Sequence, residues 1–405
     1  MQELKILLAR QPIYDRDLSV QGYELLFRPT PATIKDWDGD LATSQLVMNA
    51  FAEIGIERVS DNKSAYINFT RNWLLSPPPF NARHVTIEVL EDVDPDPEVI
   101  AGVEKMAEAG FTIALDDFIY DKKFEPLVKL ASIIKVDVLQ HQGEKLEALV
   151  EQLKPYNVKL LAEKIEDHGV FEHCKSLGFE LFQGFFLSKP QDIHGDVLPS
   201  SKVVVMRLLA ELQNPETTAG DLEKIVANDI SLSTKILRIC NTPQYASMTK
   251  VDSIKRALVI IGMESIRRWS CVIALSQMTD KPNELVCLSL HRAKTMEMMA
   301  RSAHLENSEC FFTVGMFSLI DAFFDQPKEK LLNSLPFDDH INQALLHNEG
   351  DLGKVLQSLI HHERGQWSDI DWDYLHSLGI DHHEFEKNYL DGLVWAADIM
   401  KSLFD

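Results

Sequence analysis

The sequence predicts an α/β chain: a (β/α)8-type barrel over residues 1–192, a linker over 193–201, and an all-α domain over 202–405. Three observations lead there. Eight short β-rich apolar runs recur up to Phe186, with helix-like segments between most of them. After Pro190 the apolar spacing changes from strand-like to helical. A length of 405 residues exceeds what one ordinary hydrophobic core organises, so length alone argues for two domains or three.

The runs are Ile6–Ala9, Tyr23–Phe27, Ala65–Phe69, Val85–Leu90, Thr112–Leu115, Ile133–Val136, Lys159–Ala162 and Leu181–Phe186. Segments such as DPEVIAGVEKMAEAG and EKLEALVEQLK separate them with helical character. An open doubly wound sheet is the competing arrangement, but it wants a Gly-rich phosphate loop after its first strand, and QPIYD is not one. The stretch QDIHGDVLPSS, carrying Pro, Gly and Ser, reads as the linker. Beyond it Val205, Leu208, Leu209 and Leu212 fall at i, i+3, i+4 and i+7. Thr218 with Asp221 three residues on is a capping-box signature ahead of Leu222 and Ile225.

Composition bounds the function. Apolar residues at 45% and charged residues at 25% describe a soluble globular protein. A formal charge of −22 repels nucleic-acid backbones and anionic membranes, and no concentrated basic patch offsets it. Nucleic-acid polymers and membrane insertion are therefore not expected. No apolar run has the length of a membrane span, and MQELKILLARQ lacks a signal peptide's apolar core. The five cysteines are widely spaced without a CxxC pair, which suits reduced thiols in a cytoplasmic protein.

The last residues of the barrel runs carry the chemistry. Glu24 (YELLFR), Asn68 (AYINFT), Glu88 (VTIEVLED), Asp116 and Asp117 (IALDDF), Lys135 (IIKVD), Glu163 (LLAEKIE) and Gln183 (LFQGFF) stand at successive strand ends. In a (β/α)-barrel these ends converge on one mouth, where such enzymes keep their sites. A single acidic residue at a strand end is ordinarily a helix cap or a solvated loop residue. A whole series is not. Carboxylates packed that closely cannot all ionise without cations, and an oxygen-only donor set suits Mg²⁺ or Mn²⁺ rather than zinc. Adjacent Asp116 and Asp117 are spaced for a carboxylate bridging two ions about 3.5–4 Å apart, an arrangement used to hydrolyse phosphodiesters.

These motifs resemble the EAL family of cyclic di-GMP phosphodiesterases. Glu24-Leu25-Leu26-Phe27-Arg28 is similar to the family's E-x-L-x-R signature. The resemblance continues through Gln11 (RQPIYD), Asn68, Glu88 and Glu91, Asp116-Asp117-Phe118, Lys135 and Asp137, Glu163 and Glu166, and Gln183-Gly184-Phe185. It implies hydrolysis of cyclic di-GMP to the linear dinucleotide with two Mg²⁺ or Mn²⁺ ions. By the same resemblance Glu24, Asn68, Glu88 and Asp116 hold the first ion, and Asp116, Asp117 and Glu163 the second. Lys135 and Gln183 lie around the attacking water, Gln11, Arg28 and Asp137 contact the ligand, and Glu91 and Glu166 anchor the loop. A homodimer is implied too. The loop departs from the family: where a Gly-rich run normally follows Asp-Asp-Phe, this chain has DDFIYDKKFE. That implies a shifted Asp117, and with it either a slow enzyme or a cyclic di-GMP receptor that acts through protein contacts. Another cyclic or linear dinucleotide would meet the same chemistry.

The second half resembles the HDOD family through STKILRICNTPQYA and VDSIKRALVIIGMESIRRW. It lacks the adjacent His-Asp pair of metal-dependent HD enzymes: the nearest equivalent, Gly315-Met316-Phe317-Ser318-Leu319, holds neither ligand. His291 matches one family histidine without its partners. His361-His362 and His382-His383 are neighbours on a helix, pointing about 100° apart, and read as exposed or capping histidines rather than a chelate. Met296, Met298 and Met299 read as core filling. The expected role is binding a partner protein, or sensing a signal and modulating the barrel.

Overall fold

The computed structural model describes residues 6–29, 56–75, 82–189, 200–241, 251–278 and 280–404. The expected linker 193–201 lies outside the described residues except at its last two positions, which begin a helix. The chain divides into two compact units: Met1–Leu187 with Ile360–Ile370, and Ser188–Leu359 with Asp371–Asp405.

In the first unit eight strands close into a barrel in sequence order. They are β1 (Ile6–Tyr14), β2 (Val20–Pro29), β3 (Ser64–Phe69), β4 (Val85–Val89), β5 (Thr112–Leu115), β6 (Ile133–Asp137), β7 (Lys159–Ile165) and β8 (Leu181–Gly184). Strands β2 to β8 run parallel, whereas β1 is antiparallel to both of its neighbours, β2 and β8. The antiparallel first strand has a local cause. Only residues 15–19 join β1 to β2, too few for a crossover, so the pair must be a hairpin. Asp15 builds the turn by accepting from the backbone N–H groups of Asp17 and Ser19, each at 2.9 Å.

The helices cover the sheet for reasons legible residue by residue. Helix Pro97–Glu108 starts where Asp96 accepts from the N–H groups of Glu98 and Val99, with Pro97 at its first position. It buries Val99, Val103 and Met106, while Gly102 lets it approach the backbone carbonyl of Leu74 where a Cβ would stand 2.2 Å away. Helix Glu144–Leu153 buries Leu146, Leu149, Val150 and Leu153, a 3.6-residue stripe.

The second unit is helical throughout its described residues. The sequence-predicted capping box is present: Thr218 and Asp221 bond reciprocally at the start of Ala219–Ala227. Helix Asn283–Ser302 is the core element, buried nearly all round, and packs against Ser308–Phe317 and His382–Phe404. Gly315 and Gly392 permit those crossings, since a Cβ at Gly315 would stand 2.6 Å from the Ala293 backbone. Met296 and Met299 are wholly buried filling. Buried charges are paired: Glu297 meets Arg268, Lys294 and Arg301 at 2.8–2.9 Å, and Asp325 meets Lys202 and Lys281 at 2.8 and 2.5 Å.

The histidines are less uniform than expected. His291 is a core residue whose Nε2 lies 3.1 Å from the Tyr389 carbonyl oxygen. His362 is wholly buried with its ring against Trp367, which corrects the reading of the first doublet as exposed or capping. His382 stacks on Trp372 with ring centroids 3.8 Å apart.

Candidate active site at the barrel mouth

Side chains two residues apart on a strand share a face, and this fixes where the site lies. Ile13, Tyr66, Ala114, Ile133, Leu161 and Leu181 form one buried apolar cluster inside the barrel. Two residues further toward the mouth come Asn68, Asp116, Lys135, Glu163 and Gln183. On β1, which runs the other way, the equivalent is Gln11. Register adds the rest: Gln11 pairs with Glu24 and Asn68 with Glu88. The polar layer is thus the next storey above an apolar plug.

Lys135 is its centre. The ammonium is wholly buried and lies 2.6 Å from Glu88 Oε1, 2.7 Å from Asp116 Oδ1, 2.9 Å from Glu163 Oε1 and 3.4 Å from Glu24 Oε2. Gln183 Nε2 donates to Glu24 Oε2 at 2.5 Å and to Gln11 Oε1 at 3.1 Å. One cation therefore faces four carboxylates, and burial with that imbalance moves the proton affinities of Glu88, Glu163 and Lys135. Burial, then repulsion from Glu24, pushes Glu88 far above the usual carboxylate range. Burial pushes Glu163 to about 8 against the attraction of Lys135, with repulsion from Asp116 and Glu24 adding to it. Burial works against the Lys135 charge, yet Glu163, Glu24, Glu88 and Asp116 together hold it well above the ordinary lysine value.

Several acceptors in this layer have no hydrogen-bond donor: Asn68 Oδ1, both Glu88 oxygens, Glu163 Oε2 and Gln183 Oε1. Glu88 Oε1 is close to Lys135 Nζ but not aligned for a hydrogen bond. Buried oxygens without donors are costly unless a cation or proton meets them. In kind and number the donor set fits a hard divalent ion. In arrangement it is closed around the ammonium, and no group of three or more His, Cys, Asp or Glu among the described residues stands open around a metal position.

Asp117 points elsewhere. Its carboxylate pairs with Lys164 Nζ at 3.3 and 3.4 Å, and Lys164 also donates to Asp137 Oδ2 at 2.6 Å. Asp137 Oδ1 accepts from the N–H groups of Leu139 and Gln140. These bonds outweigh the effect of burial and lower its pKa. Both oxygens of Asp137 are thus engaged in shaping the loop after β6. Phe118 fixes the other loop, its N–H donating to the Lys135 carbonyl at 3.0 Å and its ring lying edge-on to Phe124. Glu91 lines a cavity of about 280 Å³ together with Asp116, Asp117 and Ile119. Glu166 is exposed just beyond β7. The side chain of Arg28, on β2, lies outside the described residues. Lys164 is the residue that sequence reasoning missed. It follows Glu163 in AEKIE, and alternation alone would turn it away from the mouth.

The comparisons with known proteins find two domain families in succession. The EAL domain family matches residues 32–190 and the HDOD domain family residues 198–324. An uncharacterized protein of Bacillus subtilis, YuxH, is 31% identical over 98% of this chain and 99% of its own. The cyclic di-GMP phosphodiesterase CdgJ of Vibrio cholerae is 32% identical over 97% of this chain and 92% of its own. Among solved structures, a stand-alone EAL protein of Vibrio cholerae O395 with c-di-GMP bound is 23% identical. It covers 46% of this chain and 91% of its own at a TM-score of 0.36, too low to bear on the site. Identity above 30% along nearly the whole length of both curated relatives, with the two domain families in succession, places the chain among the proteins that join an EAL domain to an HDOD domain.

Proposed function

We propose that the barrel hydrolyses cyclic di-GMP to the linear dinucleotide pGpG and that the helical unit acts through protein contacts. The observation that carries this is the buried layer of Glu24, Asn68, Glu88, Asp116, Glu163 and Gln183 around Lys135, rich in acceptors that lack donors. The resemblance to CdgJ, whose name records that activity, supports the choice of substrate. Glu24, Asn68, Glu88 and Asp116 would hold one Mg²⁺ or Mn²⁺, and Asp116, Asp117 and Glu163 a second. Such ions supply Lewis-acid polarisation of a phosphoryl oxygen and a water of lowered pKa.

The protein's own contribution is positioning. Gln183, bonded to Glu24 and Gln11, fixes the orientation of both and holds its amide oxygen in the mouth. Lys135 supplies a fixed positive charge beside the cluster, suited to a phosphate that gains negative charge as water attacks. Gln11 and Arg28 would contact the ligand. A cytoplasmic location fits the five free thiols, and among the described residues no helix is long and apolar enough to cross a membrane. Self-association of the chain belongs to the same reading.

A second reading has its own observation: with Lys135 central and Asp117 held by Lys164, the barrel binds the dinucleotide without cutting it. Incubating the full chain with cyclic di-GMP and Mn²⁺, and following pGpG by chromatography, separates the two. Product from the wild type and none from Glu24→Ala is expected. Binding without product would establish the receptor.

A further inference from the structure

Two residues at the barrel mouth have backbones in the left-handed region although neither is glycine: Asp117 at φ 38° and Lys164 at φ 58°. They are joined to each other by the ion pair already described. Residues other than glycine hold such conformations only where surrounding structure imposes them. Here the imposing structure is visible. The register of β7 against β8 slips between Ala162 and Ile165, and the slip contains Lys164. It is packed against Gly184, where a Cβ would stand 2.1 Å from the Ile165 carbonyl oxygen and 2.5 Å from its nitrogen. A bulge of this kind re-aims a side chain. Lys164 follows inward-facing Glu163, yet its ammonium reaches Asp137 at 2.6 Å and Asp117 at 3.3 Å.

We propose that Lys164 is a positioning residue, a built-in monovalent cation that holds Asp117 away from Asp116 and competes with the second divalent ion for its carboxylate. This rests on the metal-dependent reading above and refines it. The first ion's donors, Glu24, Asn68, Glu88 and Asp116, are untouched by Lys164. The second ion must take Asp117 from a partner that also grips Asp137. Second-ion occupancy, and not the first, is then the quantity this chain sets low. Lys164 is 47% exposed in its side chain, so it can be replaced without opening the core, and glycine is at home at its φ.

The test is a Mn²⁺ titration of the full chain, counting bound ions by electron paramagnetic resonance, for wild type, Lys164→Gly, Lys164→Arg and Asp117→Asn. The wild type is expected to bind one ion well and a second weakly. Lys164→Gly should tighten the second by about two- to fivefold, the scale of a half-exposed ion pair removed from competition. Lys164→Arg should keep wild-type behaviour, and Asp117→Asn should lose the second ion alone. In turnover, Lys164→Gly should reach half-maximal rate at lower Mn²⁺ with an unchanged KM for cyclic di-GMP. Two ions of unchanged affinity in Lys164→Gly would overturn the tether and leave the metal-dependent reading standing. No bound Mn²⁺ in any form would overturn both.

Discussion

A single ammonium cannot neutralise the carboxylates gathered around Lys135. The chain answers with protons: burial holds Glu88 far above the normal range and Glu163 at about 8, so in the absence of a divalent ion part of the cluster stays neutral at pH 7. The lysine charge meets the same oxygens, and removing one partner from a buried ionic set leaves the others uncompensated. Lys135→Met fills the space without the charge. In metal-free protein it is expected to lower stability by about 3 kcal/mol, read by urea unfolding. Adding Mn²⁺ should recover much of the loss, because the ion then meets the same oxygens. A variant as stable as wild type without metal would mean that proton uptake alone balances the layer, and that Lys135 serves chemistry rather than architecture.

At the scale of elements, helix Trp372–Ser377 is tied to the start of helix His382–Phe404 by rings. His382 stacks on Trp372, and its Nδ1 lies 3.2 Å from His376 Nε2. Burial, then the neighbouring His376, lowers the pKa of His382, with Asp381 opposing. The sign follows. A folded-state pKa below 6.5 means that the fold prefers the neutral ring, so stability is fully present above pH 6.5 and is lost as pH falls through the lowered value. His382→Phe keeps an aromatic ring against Trp372 and cannot take a proton. Between about pH 7.5 and about pH 5.5 the wild type should lose more stability than this variant. Equal slopes in urea unfolding would remove His382 from the account. The legibility of the fold follows the same division between local and distant causes. The eight strands and the Thr218–Asp221 box were readable because short β-rich apolar runs and caps are local signals. The direction of β1 needed the length of one connection to be weighed against pairing geometry. The burial of His362 depends on Trp367, which folds back after the helix ends. In the site, Asn68, Glu88, Asp116, Glu163 and Gln183 were readable as residues at or near strand ends, whereas Glu24 and Lys135, expected there too, stand in the middle of β2 and β6. Lys164 was not readable, because its aim comes from a register slip packed on Gly184.

At the scale of the molecule, the net charge of −22 acts on two ligands of opposite sign. Cyclic di-GMP carries two phosphodiester charges and would meet a field that opposes its approach, whereas the proposed Mn²⁺ would be drawn in. Mobile salt screens both effects, with a Debye length near 10 Å at about 0.1 M and 30 Å at about 0.01 M. The rate constant for productive encounter, kcat/KM, is therefore expected to rise with potassium chloride over this range. The Mn²⁺ concentration for half-maximal activity should rise as well, meaning weaker apparent binding. Most phosphate-binding proteins lose affinity as salt is added, because their basic side chains dominate the encounter. The two behaviours are separated by measuring kcat/KM at saturating Mn²⁺ and the Mn²⁺ midpoint at saturating substrate, each at several salt concentrations. A kcat/KM that falls with salt would show that cations near the mouth, Lys135 and Lys164, govern capture of the dinucleotide. A flat one would place the slow step after binding, where screening no longer reaches it.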